Sequence, residues 1–211
     1  MTITEQFKAK RCVFSIECFP PKQTTQMDKL KDTLRQMQAM DPGFISVTFG
    51  AGGSAGGVST AEVADYIQNE LHVSTLAHLI CMGNDETRAA EILDQLESVG
   101  VRDVLAHFYR FLNLARRAGI TLPVSAGVMP IVKRSQIERT VSLSSASLPS
   151  EFTRMISRYQ DDPASLYDAG IDYAVRQLRD LIEGGADGIH LYAMNDAAVA
   201  AKVYDGIRDL L

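Results

Sequence analysis

Val13-Phe14-Ser15-Ile16-Glu17-Cys18-Phe19, closed at once by Pro20-Pro21, is the stretch whose reading decides the fold. Successive side chains of a strand point to opposite faces, so Ser15 and Glu17 share one face and Phe14, Ile16 and Cys18 the other. A packed core would not choose a hydroxyl and a carboxylate for a whole face. Phe44-Ile45-Ser46-Val47-Thr48-Phe49 repeats the pattern with Ser46 and Thr48, and Ser74-Thr75-Leu76-Ala77-His78-Leu79-Ile80-Cys81 sets His78 in an apolar run. Laid side by side in parallel, these strands bring a carboxylate, a hydroxyl and an imidazole together near their C-terminal ends. That is where α/β barrels keep their active sites. The pattern is that of an enzyme.

Working outward, strand and helix patterns alternate along the whole chain. Helices are expected over about Thr24–Met40, Thr60–Glu70, Asn84 to Gly100, Phe108–Ala118, Ser135–Leu143, Pro149–Ser157 and Pro163–Glu183, with a final helix after Tyr192 to Leu211. Further strands are expected at Val101–Ala106, Val124–Val128 and Gly188–Tyr192. Repeated βα units imply a parallel sheet covered on both faces. No linker or low-complexity stretch divides the chain, so one domain over residues 1–211 is expected. A closed (βα)8 TIM barrel needs eight strands, two more than this pattern supplies. The shortfall has a place. Val101-Arg102-Asp103-Val104-Leu105-Ala106 runs into His107-Phe108-Tyr109-Arg110 with no turn residue between, whereas the other strands end in Gly, Pro or Asn punctuation. Two βα units (strands 5 and 6), roughly 60 residues, are therefore expected to be absent between about Ala106 and His107. A barrel without two adjacent strands exposes sheet edges. The expectation is thus that Ala106 and His107 stand farther apart than the roughly 3.8 Å of a peptide-bonded pair.

Composition narrows the function classes. The 211 residues carry a net charge of −5, which offers no basic surface to nucleic acid or to an anionic membrane. No apolar run approaches the ~20 residues of a membrane span, and the N-terminus lacks the apolar core of a signal peptide. Cys12, Cys18 and Cys81 form a sparse set without a Cys-x-x-Cys pair. They suit a reducing cytoplasm. A zinc site on His78 and Cys81 is disfavoured, because three positions along a strand place them on opposite faces; no metal is expected. Gly50-x-Gly52-x-x-Ala55 satisfies a loose dinucleotide fingerprint, but the next strand ends Leu79-Ile80-Cys81-Met82 without the acid that would bind a ribose. The residues alone leave a catalytic and a structural role open for Glu17, and the same holds for Thr48 and His78.

Phe14 to Lys22, Phe44 to Ser54, Ala77 to Cys81, Ala126 to Ile131 and Gly188 to Asn195 together resemble, in order, the strand motifs of the methylenetetrahydrofolate reductase family. The resemblance implies a TIM barrel that reduces methylenetetrahydrofolate to methyltetrahydrofolate, with FAD as hydride carrier and NADH or NADPH as donor. It places the enzyme in cytoplasmic one-carbon metabolism and methionine biosynthesis, commonly as a homo-oligomer. By the same resemblance Glu17 is the general acid, and Thr48, Phe49, Gly50, Ala51 and His78 are flavin contacts. His190 and Tyr192 share a face of the last strand and would line the folate side. The comparison also names what is missing: an Arg-Gly-Asp stretch with the flavin-side Asp, a Tyr-Pro-Glu region and a Gln-Phe-Phe strand. Asp196 stands where the family often has Arg. The alternative is a non-catalytic folate-binding or scaffolding barrel that has lost strands 5 and 6.

Overall fold

The computed structural model of the protein describes residues 3–10, 12–48, 58, 60–77, 104–117, 119, 121–137, 150–159 and 161–211. Five strands, β1 (Val13–Cys18), β2 (Phe44–Val47), β3 (Thr75–Ala77), β4 (Ser125–Val128) and β5 (Gly188–Leu191), form one parallel sheet in the order β3-β2-β1-β5-β4. The first strand thus lies between the second and the last. An open doubly wound sheet has no reason to return its last strand to the first, whereas a βα barrel must. The order is an arc of a barrel-like α/β fold, as expected, although the described strands do not close into a ring.

The chain divides into two compact units, residues 1–79, 122–130 and 174–211 in one and 80–121 and 131–173 in the other. The first holds the whole sheet. All six residues of β1 are buried, so both of its faces are covered. The outward face carries Phe14, Ile16 and Cys18 beside Ile45, Val47, Ile189 and Leu191, all buried. Helix α2 (Met27–Gln38) buries Leu30, Leu34 and Met37, a spacing that gathers them on one stripe. It packs beside a C-terminal helix over Ala197–Asp205, which buries Val199, Ala200 and Val203. Burying each such large side chain contributes about 1.5–3 kcal/mol, so this layer anchors the sheet.

Helix α1 (Ile3–Ala9), which the sequence patterns did not predict, sits at the N-terminal ends of the strands. Gln6 is buried, and its Nε2 donates to the Gly43 carbonyl just before β2 (2.5 Å) and to Ser74 Oγ just before β3 (3.4 Å). Phe7 reaches the start of β5, where a Cβ on Gly188 would stand 2.8 Å from its Cε1. The C-terminal ends are left for chemistry.

Helix α3 (Thr60–Asp65) continues as a π-helical turn over Tyr66–Glu70. In the second unit α4 spans Val104–Arg117, a helical turn covers 134–137, and α5 spans Ser150–Tyr159. Helix α6 (Pro163–Glu183) begins in this unit with the boundaries expected for it. Asp162 caps it, accepting from Ala164 N and Ser165 N at 3.2 Å each. Phe152 and Tyr173 pack with ring centroids 5.3 Å apart. A Cβ on Gly170 would stand 2.0 Å from the Ile131 carbonyl oxygen, a position that only glycine can fill. Helix α7 is the C-terminal helix Ala197–Asp205 already described.

Two expectations fail together in α4. Ala106 and His107 are successive residues of one helix, so no break separates them, and Val104–Ala106 are helical rather than the end of a fourth strand. The physical reason is local. Leu105 and Ala106 are good helix formers, and a short β run gains stability only from neighbouring strands. With the expected fifth and sixth strands absent from the sequence, helix propensity wins. The Asn84 to Gly100 helix and residues 101–103 lie outside the described residues.

Candidate active site

The inward faces of β1, β2 and β5 carry the polar residues. Register pairs Glu17 with Ser46, and Ser15 with both Phe44 and His190. Alternation then puts Ser15, Glu17, Ser46, Thr48, His190 and Tyr192 on one side of the sheet. Glu17 is only 4% exposed. A buried carboxylate needs a donor, and Thr48, one residue past β2, provides it: its hydroxyl lies 2.8 Å from Glu17 Oε1 and 3.3 Å from the Cys18 carbonyl.

One layer nearer the strand N-termini, His190 is held by both ring nitrogens. Nδ1 is 2.7 Å from Ser15 Oγ and Nε2 is 3.0 Å from Ser46 Oγ. Ser15 donates its own proton to the Ile189 carbonyl at 3.1 Å. The arrangement that satisfies every group has Nδ1–H donating to Ser15 and the Ser46 hydroxyl donating to Nε2. Phe44 stacks on the imidazole at 5.9 Å, and Tyr192 meets it edge-on at 5.0 Å.

Glu17 dominates the local field. Burial first, and then the Glu17 charge, push the Cys18 thiol up to about 12, which makes it an inert core group rather than a nucleophile. The same two causes raise Tyr192 above the ordinary phenol range, so at neutral pH it is a hydrogen-bond donor.

At the mouth of the site, Asn195 joins the two strand ends. Its Oδ1 accepts from Phe19 N and its Nδ2 donates to the Phe19 carbonyl, each at 2.9 Å. Met194 and Asn195 both take positive φ, 55° and 58°, to make this reach. Asp196 then caps α7, accepting from Ala198 N at 3.1 Å and Val199 N at 3.2 Å. Its departure from the expected Arg therefore has a structural use.

Of the residues singled out from the sequence, the structure brings Glu17 and Thr48 within hydrogen-bond distance, and His190 and Tyr192 share one face, as alternation along the strand requires. Phe49, Gly50, Ala51 and His78 lie outside the described residues. The imidazole that the structure shows on this face is His190. Its immobilisation between two serines was not legible, because it depends on register across three strands. Asn195 was also missed; an Asn just before a helix cap was its one signal. Among the described residues no cluster of His, Cys, Asp and Glu could hold a metal ion.

A parallel α/β sheet in barrel order, with a buried acid at the C-terminal ends of its strands, defines a barrel-type enzyme scaffold. The methylenetetrahydrofolate reductase family model matches residues 2–107 and 106–208, so the chain belongs to this family. The match stops and restarts at the Ala106–His107 join. A probable methylenetetrahydrofolate reductase (NADH) of Oryza sativa subsp. japonica is 22% identical over 275 aligned positions, covering 88% of this chain and 46% of the relative. The 5,10-methylenetetrahydrofolate reductase of Pectobacterium carotovorum is 18% identical over 262 positions, covering 90% and 88%. Both alignments are longer than the 211 residues of this chain, so both relatives contain residues that it lacks. The chain spans about half the length of the plant relatives. In fold it is similar to a solved protein from Clostridium thermocellum that binds two copies of 5-methyl-5,6,7,8-tetrahydrofolic acid. That similarity has a TM-score of 0.54 at 9% identity and covers 99% of this chain and 98% of the other.

Proposed function

We propose that this chain binds a reduced folate on the inner face of β1, β2 and β5 and reduces methylenetetrahydrofolate to methyltetrahydrofolate, with NADH or NADPH as donor and FAD as carrier. The observation that carries the reading is the buried Glu17 with Thr48 donating to its Oε1. The bridging methylene of the substrate becomes a hydride acceptor only after a folate nitrogen is protonated and the five-membered ring opens to an iminium. Glu17 supplies that proton. With Thr48 donating to Oε1, the carboxyl proton sits on Oε2. Tyr192, its phenol kept protonated by burial and by the Glu17 charge, stands on the same face.

Thr48 also bears on the flavin. By the resemblance the carrier would lie at the strand end that Thr48 occupies, and a single 2.8 Å hydrogen bond separates that residue from the acid. This closeness suits the face-to-face approach of two rings. FAD, when bound, would take hydride from the nicotinamide and pass it to the iminium carbon. Thr48, with Phe49, Gly50, Ala51 and His78, would hold it. The chain would work as a single barrel domain in the cytoplasm, where the Cys12 and Cys18 thiols stay reduced, and as a homo-oligomer. No helix among the described residues is long and apolar enough to cross a membrane.

A second reading has an observation of its own. The family match is interrupted where α4 runs through Ala106 and His107, and a solved methyltetrahydrofolate-binding protein has the same span. That favours a folate-binding barrel without turnover. Purified chain supplied with FAD, NADH or NADPH and methylenetetrahydrofolate decides. Methyltetrahydrofolate formation, lost in Glu17→Gln, is expected. Folate binding with no turnover would establish the second reading, and neither binding nor turnover would end both.

A further inference from the structure

Gly127 lies on β4, beside His190 in register, and its backbone gives no reason for glycine: positive φ is found among the described glycines only at Gly119 and Gly185. The reason is its neighbour. A Cβ at Gly127 would stand 2.6 Å from Tyr192 Cε2 and 3.1 Å from the Tyr192 hydroxyl oxygen. The first distance is shorter than real Cβ contacts, so the ring would have to move. On its other side Tyr192 meets the His190 imidazole edge-on at 5.0 Å, with an interplanar angle of 88°. That imidazole cannot turn away, because Ser15 and Ser46 hold both of its nitrogens. The Tyr192 backbone is fixed as well, its N–H donating to the Val128 carbonyl at 2.9 Å. The ring is thus seated between an immobilised imidazole and a bare backbone, within reach of the Glu17 charge.

We propose that Gly127 and His190 are positioning residues that seat Tyr192 beside Glu17, so that its hydroxyl faces the bound folate. The ligand half of this inference rests on the proposed function. Neither residue touches the reacting atoms. Gly127 acts by having no side chain, and His190 by being locked. A methyl group at 127 tilts the phenol away from Glu17 and out of the ligand's reach.

The test uses Gly127→Ala, Tyr192→Leu and the double variant, with two readouts. In ligand-free protein carrying 13Cζ-labelled tyrosine, the Tyr192 resonance is assigned by its loss in Tyr192→Leu and titrated with pH. In Gly127→Ala its midpoint is expected to fall toward the ordinary phenol value, because the displaced ring loses first its burial and then the Glu17 charge. Affinity for 5-methyltetrahydrofolate is expected to drop about tenfold in Gly127→Ala. In the Tyr192→Leu background the same substitution should change nothing further, since the two residues act as a unit. An unmoved titration, or an equal loss of affinity in both backgrounds, overturns the seat. A wild-type chain that binds no folate while the titration moves leaves the seat standing and ends the folate reading instead.

Discussion

Glu17 is buried next to a buried thiol and a half-buried phenol, and its charge is felt by both. Replacing it by Gln keeps the Thr48 contact but removes the transferable proton. Turnover should fall by about 10²–10⁴-fold, the usual contribution of a positioned acid. In the same variant the Tyr192 titration should move down, because a negative neighbour has been removed while burial remains. NMR of the labelled tyrosine reads this without any substrate. Cys18 gives a second prediction. Its thiol titrates at 9.0 when unfolded and about 12 when folded. The folded state therefore holds the proton more tightly, and its contribution to stability is complete below pH 9 and is lost as pH rises toward 12. At about 1.36 kcal/mol per unit the loss is of order 4 kcal/mol. Cys18→Ala should flatten the alkaline limb of stability against pH in urea melts; an unchanged slope would contradict the assignment.

At the scale of elements, the loop after β5 and the loop after β1 meet through Asn195. Asn195→Ala removes two hydrogen bonds and leaves a β-carbon at φ 58°. The expected loss is about 2–3 kcal/mol. Asn195→Gly keeps the backbone comfortable and should lose less, which separates the amide from the φ requirement. Equal losses would mean that backbone strain plays no part. The elements also show what a sequence makes legible. β1, β2 and β5 could be read because one face is polar and the other apolar, and α6 because Pro163 opens it and Gly184-Gly185 close it. Val104–Ala106 were misread as strand because a three-residue apolar run has no period, and pairing partners, not propensity, decide its state. Helix α1 was missed because the burial of Gln6 depends on Gly43 and Ser74, 37 and 68 residues away. Likewise alternation within each strand made the polar faces of Glu17 and Thr48 legible, whereas their hydrogen bond depends on the register of β1 against β2. The Ser15–His190–Ser46 clamp required the register of three.

For the molecule as a whole, the sheet order β3-β2-β1-β5-β4 brings together residues from both ends of the sequence, so Glu17 and Tyr192 share a site 175 positions apart only because the last strand returns to the first. The family match resumes at 106, and α4 crosses that join without interruption. Whether the remaining scaffold holds flavin is read from the absorbance of protein purified with FAD. A yellow protein supports the reductase, and a colourless one that still binds folate supports the binding barrel. The claim common to both is that the face built by Glu17, Thr48, His190 and Tyr192 is a reduced-folate site. Calorimetric titration with 5-methyltetrahydrofolate tests it most directly. The account predicts saturable binding that weakens at least about tenfold in Tyr192→Leu. No heat beyond dilution, or an affinity indifferent to Tyr192, would contradict it.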